Sequence, residues 1–170
     1  MVCTTVEGSS LPLEVAQHEP FNPLRVGRRG QAKRMKFREP ASWIVGLLPQ
    51  TFAEPTVAPG DVAQMFSQPI GNYLVNDGCP LEVIDVGRGI PRRPGDVYLV
   101  KILGAIAEVA VASGELGWKL ITVGIEHKLA KILEDLRDIN EALPGLVEDI
   151  QDWLRRRFVT PGSYTLTSIS

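Results

Sequence analysis

Cysteine, histidine, long apolar runs and excess charge are all scarce in this 170-residue chain. The two cysteines, Cys3 and Cys79, are too few for a disulfide framework, so a reducing, cytoplasmic setting is expected. The two histidines, His18 and His127, offer no Ser-His-Asp or Cys-His pairing and no zinc-type spacing, and both are expected at the surface. No run approaches the roughly 20 apolar residues of a membrane span. The opening residues MVCTTVEGSS have neither the basic nor the apolar region of a signal peptide. A formal net charge of -2 gives no pull toward nucleic acid or an anionic membrane. Internal repeats and low-complexity segments are also missing. Gly87-Arg88-Gly89 lacks the Lys-Ser/Thr and the helix that a phosphate loop needs.

The length suits one domain, residues 1–170, with a hydrophobic core of its own. The informative stretch is Asn76 to Gly87, a turn feeding a strand that carries Asp77, Glu82 and Asp85 in a short apolar run. An unpartnered buried carboxylate costs several kcal/mol, roughly, so acids in such a run point to a site. Glu82 and Asp85 lie an odd number of residues apart and face opposite sides of a strand. Strands are expected at Val2–Val6, Leu11–Val15 and Trp43–Thr51, and the basic block Arg25–Arg38 reads as a solvated hairpin. Asp96–Ala112 reads as a long strand that bends at Gly104 and pairs with Trp118–Val123 across a Ser113-Gly114-Glu115 turn. From His127 the apolar period becomes helical. Leu143, Leu146, Val147, Ile150, Leu154 and Phe158 mark one helix face, with Pro144 in its first turn and Arg155–Arg157 at its end. Strands first and helices last give an α+β class.

These motifs, in this order, resemble the family I (soluble) inorganic pyrophosphatases. Asp77-Gly78-Cys79-Pro80-Leu81-Glu82 resembles the D-x-D-P-x-D signature strand. Gly46-Leu47-Leu48-Pro49-Gln50-Thr51 resembles a Y-G-x-x-P-Q-T loop, Val100-Lys101-Ile102-Leu103-Gly104 a V-K-x-L-G strand, and Gly114 to Lys119 a D-E-G-E-x-D-W-K hairpin. Leu143-Pro144-Gly145-Leu146 and Trp153-Leu154-Arg155 resemble the F-P-G-L helix entry and the W-F-R of the last helix. The resemblance implies a five-stranded, OB-like closed β-barrel flanked by C-terminal helices, an exposed Asp85, and a homodimer or pairing with a pyrophosphatase-like paralogue.

It also implies a site at the barrel mouth where carboxylates hold Mg²⁺, and there the chain departs from the pattern. Asp77, Glu82, Glu14 and Lys119 keep a family acid or lysine, and Lys36 stands for an arginine. Cys79, Ala112 and Gly117 replace aspartates, Thr4 a glutamate, Pro12 a lysine and Val45 a tyrosine, while Arg157-Phe158 replaces a Tyr-Lys pair. A thiol is a poor Mg²⁺ ligand. The expectation is a member that hydrolyses pyrophosphate poorly or not at all. It is read first as a metal-independent, cofactor-free isomerase, cyclase, dehydratase or lyase of secondary metabolism acting on a small organic substrate. Asp77 and Glu82 would be acids with raised pKa values, with Lys119 beside them, and Glu14, Lys36, Val45, Cys79, Arg157 and Phe158 would line the pocket. The second reading is a weak Mg²⁺-dependent pyrophosphatase with metal at Asp77 and Glu82. The third is a non-catalytic ligand-binding or partner subunit.

Overall fold

The computed structural model describes the backbone of residues 1–26, 28–29, 33–34, 36–51, 56–57, 74–75, 80–110, 115–157 and 164–169. It describes the side chains of 1–26, 36–51, 80–108 and 117–157. Asp77, Cys79, Ala112 and Phe158 lie outside the described residues.

Five segments rich in β-branched and apolar residues build the centre of one mixed sheet: β1 (Val2–Thr5), β6 (Ile44–Leu47), β9 (Glu82–Asp85), β10 (Val100–Ala110) and β11 (Glu115–Gly124). The order is β1-β6-β9-β11-β10, followed by β12 (Tyr164–Ile169) on the outside of β10. β9 runs parallel to β11, and the other pairs on this path are antiparallel. Two short strands, β7 (Thr56–Val57) and β8 (Leu74–Val75), extend the sheet beside β11. Two hairpins stand apart: β2 (Leu13–Val15) with β3 (Leu24–Val26), and β4 (Arg28–Arg29) with β5 (Lys33–Arg34). The second is the hairpin expected of the basic block.

The long strand bends where glycine predicted it. The β10–β11 register shifts between Ile102 and Gly104, the mark of a bulge. The expected closed, five-stranded barrel is not found. Among the described residues the ladder stays open between β1 and β10. That seam holds one bridge, Val2 with Val97, and four main-chain hydrogen bonds: Cys3 N–H to Asp96 O, Gly95 N–H to Cys3 O, Tyr98 N–H to Met1 O, and the Met1 amino group to Tyr98 O. Gly95 sits at φ 95° in the Arg88–Gly95 excursion, so the chain turns there before a strand can form.

Both faces of the sheet are covered. On one, Val45, Ile84, Val86, Ile106, Ile121 and Val123 pack under two helices; on the other, Met1, Cys3, Ile44, Val83 and Tyr98 form a smaller cluster. Asp85 shares the Val83 side, and it is buried, not exposed as expected, because Met1, Cys3 and Tyr98 cover that face. Its carboxylate accepts hydrogen bonds from Tyr98 Oη (2.9 Å), Gly87 N–H (2.8 Å) and Gly124 N–H (3.1 Å), which satisfies it without a metal or ligand.

The helices follow their caps. Asp135 and Asp138 form a reciprocal capping box at the start of α1 (Leu136–Ala142). Gly145, at φ 84°, then redirects the chain into α2 (Leu146–Arg156). Pro144 therefore precedes this helix instead of sitting in its first turn. α2 buries Val147, Ile150, Trp153 and Leu154, and Trp153 meets Phe37 and Trp43 edge-on. The helices do not end the fold, because β12 returns to the sheet after them. No helix among the described residues is long and apolar enough to cross a membrane.

Candidate active site

The site is built where three strands and one helix end converge. Thr51 Oγ1 donates to Leu48 O (2.6 Å) and accepts from Leu81 N–H (3.0 Å), which fixes the entry to β9. Glu82 then begins that strand on the same side as Ile84, facing the helices. Lys119 is its register partner across the parallel β9–β11 pair. Glu108 lies two residues beyond the core residue Ile106 on β10, directly across from Gly117. From above, Arg157 caps the C-terminus of α2, and its backbone carbonyl is tied to Arg38 N–H at 2.7 Å.

These four side chains form one ion network. Arg157 Nη1 donates to Glu82 Oε1 in a short contact, and Arg157 Nη2 donates to Glu108 Oε2 at 3.0 Å. Lys119 Nζ lies 3.4 Å from Glu82 Oε2 and 3.3 Å from Glu108 Oε2. Arg157 and Glu108 are buried, at 3% and 7% exposure, while the side chains of Glu82 and Lys119 are 23% and 13% exposed. Glu82 is thus the member open to solvent. Glu108 Oε1 is buried with no hydrogen-bond partner among the described residues.

The electrostatics correct the expectation of a raised carboxyl pKa. Burial alone would push Glu82 up, but the charges of Arg157 and Lys119 outweigh it and hold the group at about 2. Glu82 is a fixed anion near neutrality, not a proton donor. Burial would lower the Lys119 pKa, yet Glu82 and Glu108 overcome it and leave the ammonium above its ordinary value. Both cations of the network are therefore permanently charged at neutral pH.

Of the other expected residues that are described, Lys119 and Arg157 are the two brought to Glu82. Val45 is buried in the apolar cluster under the helices. Lys36 is exposed. Glu14 is exposed on β2, opposite Arg25 in the β2–β3 hairpin; partial burial nudges its pKa up. His18 is exposed, as expected, whereas His127 is half-buried and caps a 3₁₀ turn (Lys128–Lys131) by accepting from Leu129 N–H. Sequence reasoning missed Glu108. The available signal was its isolation: it is the only charged residue between Lys101 and Glu115.

Mg²⁺ ordinarily takes six oxygen donors and, when held by few carboxylates, completes its shell with water and substrate phosphates. Among the described residues no group of three or more His, Cys, Asp and Glu could hold a metal ion. Both oxygens of Glu82 are already engaged by cations. The described donors do not fit a magnesium ion held by protein alone.

The comparisons agree on the lineage. The inorganic pyrophosphatase family model matches residues 1–163. The chain is 30% identical to soluble inorganic pyrophosphatase 6, chloroplastic, of Arabidopsis thaliana over 148 residues, covering 86% of this chain and 45% of that protein. It is 28% identical to the inorganic pyrophosphatase of Bos taurus over 175 residues, covering 95% of this chain and 53% of that protein. The chain thus spans about half the length of the curated relatives it matches. In fold it is similar to type I inorganic pyrophosphatase of Toxoplasma gondii, with a TM-score of 0.84 at 23% identity over 98% of this chain and 68% of that one. A vacuolar soluble pyrophosphatase of Trypanosoma cruzi, solved in complex with PPi, gives a TM-score of 0.76 at 26% identity over 98% of this chain and 62% of that one. With its mixed sheet, its two helices packed on one face and a match over almost its whole length, this chain belongs to the inorganic pyrophosphatase family.

Proposed function

We propose that this chain binds inorganic pyrophosphate as its magnesium salt and hydrolyses it slowly to two phosphates. Support comes first from the buried pair of permanent cations, Lys119 and Arg157, converging on a partly open carboxylate. Phosphoryl transfer is catalysed mainly by positioning and by charge placed against the phosphate oxygens. Lys119 is the cation nearer solvent and is assigned to those oxygens. Glu82 is assigned to hold the attacking water by accepting its hydrogen bond. With a pKa of about 2 it is a weak base, which limits the rate.

The metal-independent isomerase or lyase reading loses its premise at Glu82, and no relative named above carries such a description. Cytoplasmic placement and self-pairing stand as part of this proposal. Val97, Leu99 and Ile102, which lead into and begin β10, and Ile125, which follows β11, are the exposed apolar side chains available for a second copy. Sedimentation velocity would read the oligomeric state.

The decisive assay is phosphate release from pyrophosphate with Mg²⁺. Release is expected to be more than tenfold below that of an ordinary family member and absent in Lys119→Met. Release no faster than the Lys119→Met background overturns hydrolysis, and turnover within tenfold of an ordinary member overturns its slowness.

A further inference from the structure

The network's charge balance carries a consequence for metal binding in the free protein. Among the described residues it contains two carboxylates and two cations, whose charges balance with no metal ion present. In a buried site a carboxylate pair needs opposite charge close by, and a carboxylate already matched by protein cations has little left to offer a further ion. A divalent ion reaching Glu82 would have to displace Arg157. Arg157 is 3% exposed and its guanidinium is also held by Glu108, so displacement would strand it next to the incoming ion. The two carboxylates are close enough to share a ligand: one oxygen of each lies within 3.4 Å of the same Lys119 Nζ. Glu108 Oε1 is a further buried oxygen without a partner among the described residues.

We infer that Arg157, held in place by Glu108, is a built-in substitute for a divalent cation at Glu82, and that removing its charge opens a divalent-cation site on Glu82 and Glu108. Arg157 is thus a positioning residue for the charge of this site, and the free chain takes up no divalent ion at Glu82. The two-carboxylate site exposed by its loss would select a hard ion with oxygen preference.

The test counts protein-bound Mn²⁺ by electron paramagnetic resonance, without pyrophosphate, taking as signal only the binding that Glu82→Gln abolishes. Its outcome is therefore separate from that of the hydrolysis assay. The wild-type chain is expected to show no Glu82-dependent ion. Arg157→Met should gain one Mn²⁺ per chain with at least tenfold tighter binding, and Arg157→Met/Glu108→Gln should lose it again. Arg157→Lys, which keeps the charge, should behave as wild type. Glu82-dependent Mn²⁺ on the wild-type chain as tight as on Arg157→Met overturns the inference. So does a folded Arg157→Met, verified by circular dichroism, that gains no ion. Should Arg157→Met fail to fold, Arg157→Gln takes its place, and the wild-type titration alone still overturns the inference if Glu82-dependent Mn²⁺ is retained.

Discussion

Glu108 is the residue whose role is hardest to see in the sequence and easiest to test in the protein. Removing one member of a buried ion network leaves its partners desolvated and unmatched, which costs roughly 3–5 kcal/mol, whereas replacing a whole pair with apolar side chains can be nearly neutral. Glu108→Leu should therefore destabilise the fold by about 3 kcal/mol in urea titrations, and adding Arg157→Met should recover most of that loss. Equal, additive losses in the two single variants and the double variant would show that the two side chains do not act as a pair. The residues around Glu108 were legible because the family resemblance singles out Glu82 and Lys119, and because Arg157 ends an amphipathic helix; that Glu82 and Lys119 sit on paired strands came only with the structure. Which way Arg157 turns was not legible. An arginine at a helix C-terminus is satisfied by the helix dipole alone, whereas here the carboxylates of Glu82 on β9 and Glu108 on β10 draw it inward.

Two glycines separate the ways an element depends on its backbone. Gly46 on β6 has an ordinary φ, but a Cβ there would collide with the Val2 carbonyl and the Met1 side chain across the β1–β6 pair. Gly145 has open space around it, but its φ of 84° is unfavourable for any side chain. Gly46→Ala should cost about 1–3 kcal/mol through forced displacement of β1. Gly145→Ala should cost about 1–2 kcal/mol through backbone strain alone. Hydrogen exchange would distinguish them: Gly46→Ala should loosen β1 amides, and Gly145→Ala those at the start of α2. The elements that the sequence made readable are those with a strong local signal: the bend at Gly104, the period-3.6 face of α2, the β10–β11 hairpin. β12 was missed because Tyr164–Ile169 is stabilised by pairing with β10, a partner more than fifty residues earlier. The burial of Asp85 was missed for the same reason, since what covers it comes from residues 1–3 and from Tyr98.

At the scale of the whole molecule, the ion network links the sheet to the end of α2, so its titration should register in global stability. The folded-state pKa of Glu82 is depressed to about 2, below its ordinary 4.5. Its contribution is therefore fully present above about pH 4.5 and is lost as pH falls toward about 2. Lys119 is raised above 10.5, so its contribution is complete below that value and is lost as pH rises through the folded-state pKa. Between these limits the network should add a pH-independent increment to stability. Urea midpoints of the wild-type chain and the Glu82→Gln variant, measured from about pH 2 to 8, should differ by a constant amount above about pH 5 and converge below it. Because the amide introduced by Glu82→Gln cannot titrate, that convergence isolates the Glu82 proton from every other acid in the chain. A difference that stayed constant down to about pH 2 would mean the Arg157 and Lys119 charges do not act on Glu82 in solution. The reading of this site as a closed, self-neutralised relative of a metal centre would fail with it.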